Sequence, residues 1–229
     1  MENKVSRFVI VTHSLNECLK DGKLTELDLL VYASIRKYMR NDTRVCDSAI
    51  SQIIEFSGLS KPTVINAIKK LHTNSFIEII PRTGRSNWYR FPVSSEHFEQ
   101  FLFTFLENPI LTPQEKAFII ACRKFFLKSK DEYYITANNS EMAKWTGVSR
   151  QTVDNRVHSL KDKGMIKYTL TLRKSGNNDI GLLMNMEELG LILKKNQEDI
   201  EDLKETKADN QRVEALEQQV EELKKLLIK

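Results

Sequence analysis

The stretch from Gly58 to Leu71 reads GLSKPTVINAIKKL, and the stretch from Gly147 to Leu160 reads GVSRQTVDNRVHSL. A pattern written twice constrains a chain more than its composition does, because it predicts two copies of one folding unit. Aligning 57–77 with 146–166 matches seven of 21 columns: glycine, serine, threonine, valine, asparagine, leucine and isoleucine. Upstream, LTELDLLVYASIRKYM at 24–39 overlies LTPQEKAFIIACRKFF at 111–126, with Leu-Thr shared at the start and Arg-Lys near the end. The approaches FVIVTHSLNE and FLFTFLEN correspond as well.

Each unit carries the same order of local signals. After Thr25, Leu27, Leu30, Val31, Ser34, Ile35 and Tyr38 recur at helical spacing, and Thr25 followed by Asp28 is an N-cap signature. This is the expected first helix of the unit. A short extended piece follows, at Arg44-Val45-Cys46 and at Tyr133-Tyr134-Ile135-Thr136. Next comes a helix (Ser48 to Phe56; Asn139 to Trp145), a turn at Gly58 or Gly147, and a second helix capped by Ser60 or Ser149. Glycine permits the left-handed backbone that ends one helix, and serine can satisfy the free amides that begin the next. Each unit closes with a hairpin pattern: FIEII, PRTGRSN, WYRFPV, and MIKYTLTL, RKSGNND, IGLLMNM, the middle segments being the expected loops.

This order resembles the winged helix-turn-helix family, over about residues 8–93 and 98–186. The expected fold class is α+β, mainly helical with small β-hairpins. Two tandem winged-helix domains, 1–94 and 95–186, are expected to precede a C-terminal helix, 187–229.

Advancing 100° per residue along the second helix of each pair separates packing from reading positions. Val64, Ala67, Ile68 and Leu71 share one face, while Pro62, Asn66, Lys69, Lys70 and Thr73 share the other. In the second copy Val153, Val157 and Leu160 face inward, and Gln151, Asn155, His158 and Ser159 outward. An α-helix fits the major groove of DNA, where asparagine or glutamine matches adenine and lysine or arginine matches guanine. Asn66, Lys69, Gln151 and Asn155 are the expected base contacts, Lys61 and Arg150 reach bases or phosphate, and Thr63 and Thr152 suit phosphate oxygens. Lys70 and His158 complete the expected reading surface. In the wings, Arg82, Arg85 and Arg90 of the first hairpin and Arg173 and Lys174 of the second are the expected backbone contacts. Asp154 opposes phosphate contact unless Arg150 offsets it, so the first copy is expected to bind more tightly. The differences Ala67/Arg156, Lys69/His158 and Ile65/Asp154 predict two unlike subsites in an asymmetric or directly repeated DNA site.

Charge supports a polyanionic partner for the body. The chain carries 35 basic and 31 acidic residues, net +4; the segment after Met186 holds 12 acidic and 8 basic ones, leaving 19 and 27 before it. In the acidic tail Leu189, Leu193, Ile200 and Leu203 form one apolar register, and Val213, Leu216, Val220, Leu223 and Leu227 another. The tail resembles a leucine-zipper coiled coil, which implies self-association into a dimer or higher oligomer. A helix folded back on the body, or docked to another protein, is the rival reading.

Chemistry is sparse. GxxxxGK[ST], HExxH, GxSxG and an acidic metal-binding cluster are absent, and His13, His72, His97 and His158 are scattered, so neither an enzyme nor a metal or cofactor site is expected. Cys18, Cys46 and Cys122 are odd in number and lack CxxC spacing, which predicts buried, reduced thiols. The start MENKVSRF has no signal-peptide apolar stretch, and apolar runs such as AFIIAC fall short of the roughly 20 residues that cross a bilayer, so a cytoplasmic, DNA-associated location is expected, with no membrane partner.

LTPQEKAFIIA and GVSRQTV are similar to sequences in replication initiators and replisome organisers of plasmids and phages, and in bacterial transcriptional regulators. That resemblance implies double-stranded DNA as partner, together with another protein of the replication, partition or transcription machinery. Transcription control, replication initiation and plasmid maintenance or transfer stand level. The alternative class is a winged-helix scaffold that docks proteins and not DNA.

Overall fold

The computed structural model of the chain describes residues 8–40, 42–93, 97–129, 132–174 and 177–191, with 129, 168–174 and 177–180 described by their backbone. Strand β1, Phe8–Thr12, runs into helix α1, His13–Lys20, and then α2, Glu26–Lys37. The Asp28 carboxylate fixes the start of α2 by accepting from the Thr25 amide (2.6 Å) and hydroxyl (2.9 Å). Then come β2, Val45–Cys46; α3, Ile50–Ser57; α4, Lys61–Thr73; β3, Glu78–Ile80; and β4, Trp88–Arg90. The second repeat opens with β5, Phe98–Leu102, and α5, Phe103–Leu106, followed by α6, Pro113–Cys122. It continues through a 3₁₀ turn at Arg123–Phe125, β6 (Phe126–Ser129), β7 (Glu132–Ile135), α7 (Asn139–Thr146), α8 (Arg150–Asp162), β8 (Ile166–Lys174) and β9 (Asn177–Met184). The class is α+β.

Both helix-turn-helix junctions use the expected glycines, Gly58 at φ +68° and Gly147 at φ +71°. The Ser149 hydroxyl caps α8 by accepting from the Thr152 amide at 3.1 Å. Ser60 differs: its hydroxyl lies 2.8 Å from that of Thr63 and bonds no backbone amide of α4.

Among the described residues three sheets organise the body, β1-β5, β2-β4-β3 and β6-β7-β9-β8, each paired antiparallel. The first joins the two repeats, since the approach strands pair with one another. Helices α2 and α6 pack together beside it. This explains why α2 is buried nearly all round, with Leu29, Leu30, Val31, Tyr32, Ala33 and Ile35 all in the core, where its spacing predicted a single face. Residues of both repeats belong to one hydrophobic cluster, and the described residues lie in one compact unit.

Several expectations are corrected. Helix α6 ends at Cys122, four residues short of the matched 111–126 segment, and Phe126–Ser129 pair with β7, Phe126 opposite Ile135. The expected loop RKSGNND is instead largely strand: Arg173 pairs with Asn178 and Lys174 with Asn177, so the alternating TLTLRK run extends the ladder to the hairpin tip. The expected C-terminal helix does not begin at 187. Residues 187–190 form a turn, Leu189 is fully buried in the body, and Gly190 sits at φ +76°. The Thr104 hydroxyl donates to the Gly190 carbonyl (2.6 Å) and the Asn108 amide to that of Glu188 (2.7 Å), tying this turn to α5. The tail positions Leu193, Ile200, Leu203, Val213, Leu216, Val220, Leu223 and Leu227 lie outside the described residues. All three cysteines are free; Cys46 and Cys122 are buried, whereas Cys18 is half-exposed. Among the described residues no helix is long and apolar enough to cross a membrane.

Candidate nucleic-acid interface

Helix α4 buries Val64, Ala67, Ile68 and Leu71 and exposes Lys61, Asn66 and Lys69, as its spacing predicts. None of the described residues pairs with those three exposed side chains. Thr63 is half-buried, its hydroxyl held by Ser60. Lys70 departs from expectation. Its Nζ lies 3.0 Å from the carboxylate of Asp28, which is buried, so Lys70 clamps α4 to α2 and is not part of the free outer face. A buried carboxylate requires a partner, and Lys70 is the cation in reach.

The second repeat builds the same clamp with different residues. Glu115 occupies the place of Asp28 and accepts from the Thr112 amide at 2.7 Å. It also accepts from the Ser159 hydroxyl (2.7 Å) and Lys163 Nζ (2.6 Å) of the α8 region. Burial by itself would raise the Glu115 carboxyl, but the bonds from Lys163, Ser159 and Thr112 hold it below the usual carboxylate range. Ser159, expected to point outward, thus faces α6.

Helix α8 buries Val153, Val157 and Leu160 and exposes Arg150, Gln151, Asn155 and His158. The Gln151 amide donates to Asn155 Oδ1 at 2.9 Å, leaving an Asn155 donor and the Gln151 acceptor turned outward as a pair. Thr152 is half-buried, 2.8 Å from the Ser149 hydroxyl. Asp154 accepts from the Asn139 amide and lies 4.0 Å from Arg150 Nε, the offset its position requires. The His158 ring nitrogen Nδ1 is 2.7 Å from the Asp154 carbonyl.

Arg156 corrects the expected pattern of subsites. Its guanidinium forms a two-pronged pair with Glu26, at 2.6 and 2.5 Å, and lies 5.5 Å from the Phe118 ring. Only 13% of the Arg156 side chain and 4% of that of Glu26 are exposed. Its counterpart Ala67 is buried too. The Ala67/Arg156 difference therefore belongs to the junction between repeats and not to a reading surface. Burial raises the Glu26 carboxyl, although hydrogen bonding and charge from Arg156 pull it down.

In the first wing, Arg82 stacks over Trp88 with its guanidinium carbon 4.7 Å from the ring centroid, and Arg90 pairs with Glu78 at 3.1 Å. Arg85 is exposed beside Gly84, with no side-chain partner among the described residues. Arg173 and Lys174 stand at the tip of the β8–β9 hairpin; their side chains are outside those described.

The Arg-Lys pair common to both repeats is packing chemistry. Lys37 Nζ sits 3.7 Å over Phe56 and Lys124 Nζ lies over Trp145, while Arg36 and Arg123 lie over Phe91 and Phe126. Sequence reading missed Lys161. With Arg150 and His158 it lines a cleft of about 470 Å³ beside Asn138, Asn139 and Ser140. Three helical turns separate Arg150 from Lys161, a spacing that placed them on one face from the outset. Comparison with protein-family models and with curated proteins finds no match for the chain.

Proposed function

We propose that this chain is a sequence-specific double-stranded DNA-binding protein in which α4 and α8 are the recognition helices of two tandem winged helices. It acts by binding and not by catalysis. The observation that carries this reading is the repeated placement of Asn66 and Asn155: both are exposed at the same position of duplicated helices, where core packing makes no use of them. Lys61, Lys69 and Arg150 add positive charge to the same faces, and Arg85 extends it into the first wing. Asn66 and Lys69 read bases from α4; Gln151 and Asn155 read them jointly from α8.

In this proposal the segment after residue 192 self-associates as a coiled coil, and the protein serves a plasmid or phage in transcription control, replication initiation, or plasmid maintenance or transfer, in company with another protein of that machinery. A genome-wide map of bound sites tests it. Discrete sites at an origin, a promoter or a transfer locus are the expected result and identify the role; a map without discrete sites contradicts it and favours a protein-docking scaffold.

A further inference from the structure

We infer that one chain binds an imperfect inverted repeat, two unlike arms related by a local twofold axis, and not a direct repeat. The inference rests on α4 and α8 being the DNA-reading helices, and it deepens that reading by naming the class of DNA site.

The axis is written in the pairing of β1 with β5. These are equivalent strands, each leading directly into a short helix, and their register is Phe8↔Leu102, Val9↔Phe101, Ile10↔Gln100, Val11↔Glu99 and Thr12↔Phe98. Two strands that hold the same place in their repeats and pair antiparallel are related by an approximate twofold axis perpendicular to the ribbon. A head-to-tail arrangement of repeats does not place equivalent strands in such a register.

The central helices follow the same exchange. Helix α2 packs on its own counterpart α6. At the start of α2, Glu26 reaches Arg156 in α8 of the other repeat. At the start of α6, the matching residue Pro113 also reaches the other repeat, though at a different point: a Cβ added to Gly58 would stand 2.8 Å from the Pro113 ring, while Gly147 has nothing within 4 Å, so the two cross-contacts are not copies of each other. Within each repeat the reading helix is fixed to its central helix at matching positions, Lys70 to Asp28 and Ser159 to Glu115. Helix α4 packs directly on α2, whereas α8 is held to α6 mainly through the Glu115 bonds, so the axis that exchanges α2 and α6 exchanges α4 and α8 approximately.

Two reading helices related in this way meet the duplex with opposite polarity, so their arms lie on opposite strands; twofold symmetry in a protein is mirrored by palindromy in its site. The arms differ in sequence because Asn66 and Lys69 face one of them while Gln151, Asn155 and His158 face the other. Of the asymmetric or directly repeated site that the sequence predicts, the inference keeps the asymmetry and replaces the direct repeat by an inverted one.

Selection of the full-length chain on random duplexes, followed by mass measurement of the complex with the enriched duplex, tests this. The expected motif has two unlike arms in inverted orientation, with one chain for each pair of arms. Reversing one arm in place is expected to weaken binding roughly 10²- to 10⁴-fold through loss of the second linked contact. Asn66→Ala should relax preference in one arm and Asn155→Ala in the other. Arms in the same orientation, or two identical arms each held by a separate chain, overturn the inference and leave DNA binding standing. If no duplex is enriched, the DNA-binding reading falls and the inference with it.

Discussion

Arg156 on α8 and Glu26 at the start of α2 meet through two bonds, at 2.5 and 2.6 Å, with both side chains largely withdrawn from water. The pair joins a helix of the second repeat to a helix of the first, so the geometry between the two repeats depends on it directly. A carboxylate and a guanidinium withdrawn together are tolerated only as partners.

Removing one partner should therefore be costly. Glu26→Gln or Arg156→Ala is expected to lower stability by about 3 to 5 kcal/mol, because each leaves the other group buried without its counter-charge. The double variant Glu26→Gln, Arg156→Ala is expected to lose less than the sum of the single changes. Denaturant unfolding of the four proteins measures the coupling, and additive losses would show that the pair does not act as a unit.

The two buried glutamates give opposite pH dependences. The folded state holds Glu115 below its ordinary range, so its contribution is complete above the unfolded value of about 4.3 and is lost as pH falls through the lower folded value. Glu26 is raised, chiefly by burial, so its linkage favours the folded state below the unfolded value and is lost as pH rises through the folded one. Unfolding midpoints measured between about pH 3 and 7 are expected to show a flatter acid limb in Glu115→Gln and a steeper one in Glu26→Gln.

The matching turn glycines should respond unequally to one substitution. Alanine at either position meets the positive φ, a strain of about 1 to 2 kcal/mol. At Gly147 the new methyl has nothing within 4 Å, whereas at Gly58 it would press on the Pro113 ring at 2.8 Å. Gly58→Ala is expected to be the more destabilising in thermal or denaturant unfolding, and equal losses would contradict the close approach of Pro113.

Residues of the first repeat should divide by readout. Asn66→Ala is expected to cost about 1 to 3 kcal/mol at the preferred site and to relax preference at one base pair. Arg85→Ala should weaken all sequences alike and lower the salt slope by roughly one. Lys70→Ala should instead lower folding stability, since its ammonium serves Asp28. Binding titrations on matched and mismatched duplexes, with unfolding curves of the same proteins, separate the three.

What the sequence made legible is the local grammar: Gly58 and Gly147 end helices, Thr25 and Asp28 begin one, and Val64, Ile68 and Leu71 point inward. These depend on backbone preference and on helical period, both written within a few residues. What it hid depends on contacts between distant segments. Lys70 looks like a reader until Asp28 is found beneath it, and Arg156 looks like a subsite until Glu26 arrives from 130 positions away. Leu189 fits a zipper register as well as it fits the core that buries it. The approach segments match in sequence, but nothing local reveals that they pair with each other.

If exposed basic and amide side chains of two helices and a wing bind DNA, the affinity of the full-length chain for its selected duplex must respond to salt. Tight, selective binding is expected, with log K falling linearly with log salt at a slope of about −0.9 for each phosphate neutralised and several phosphates engaged. Binding that is absent, or that does not change with salt, would contradict it.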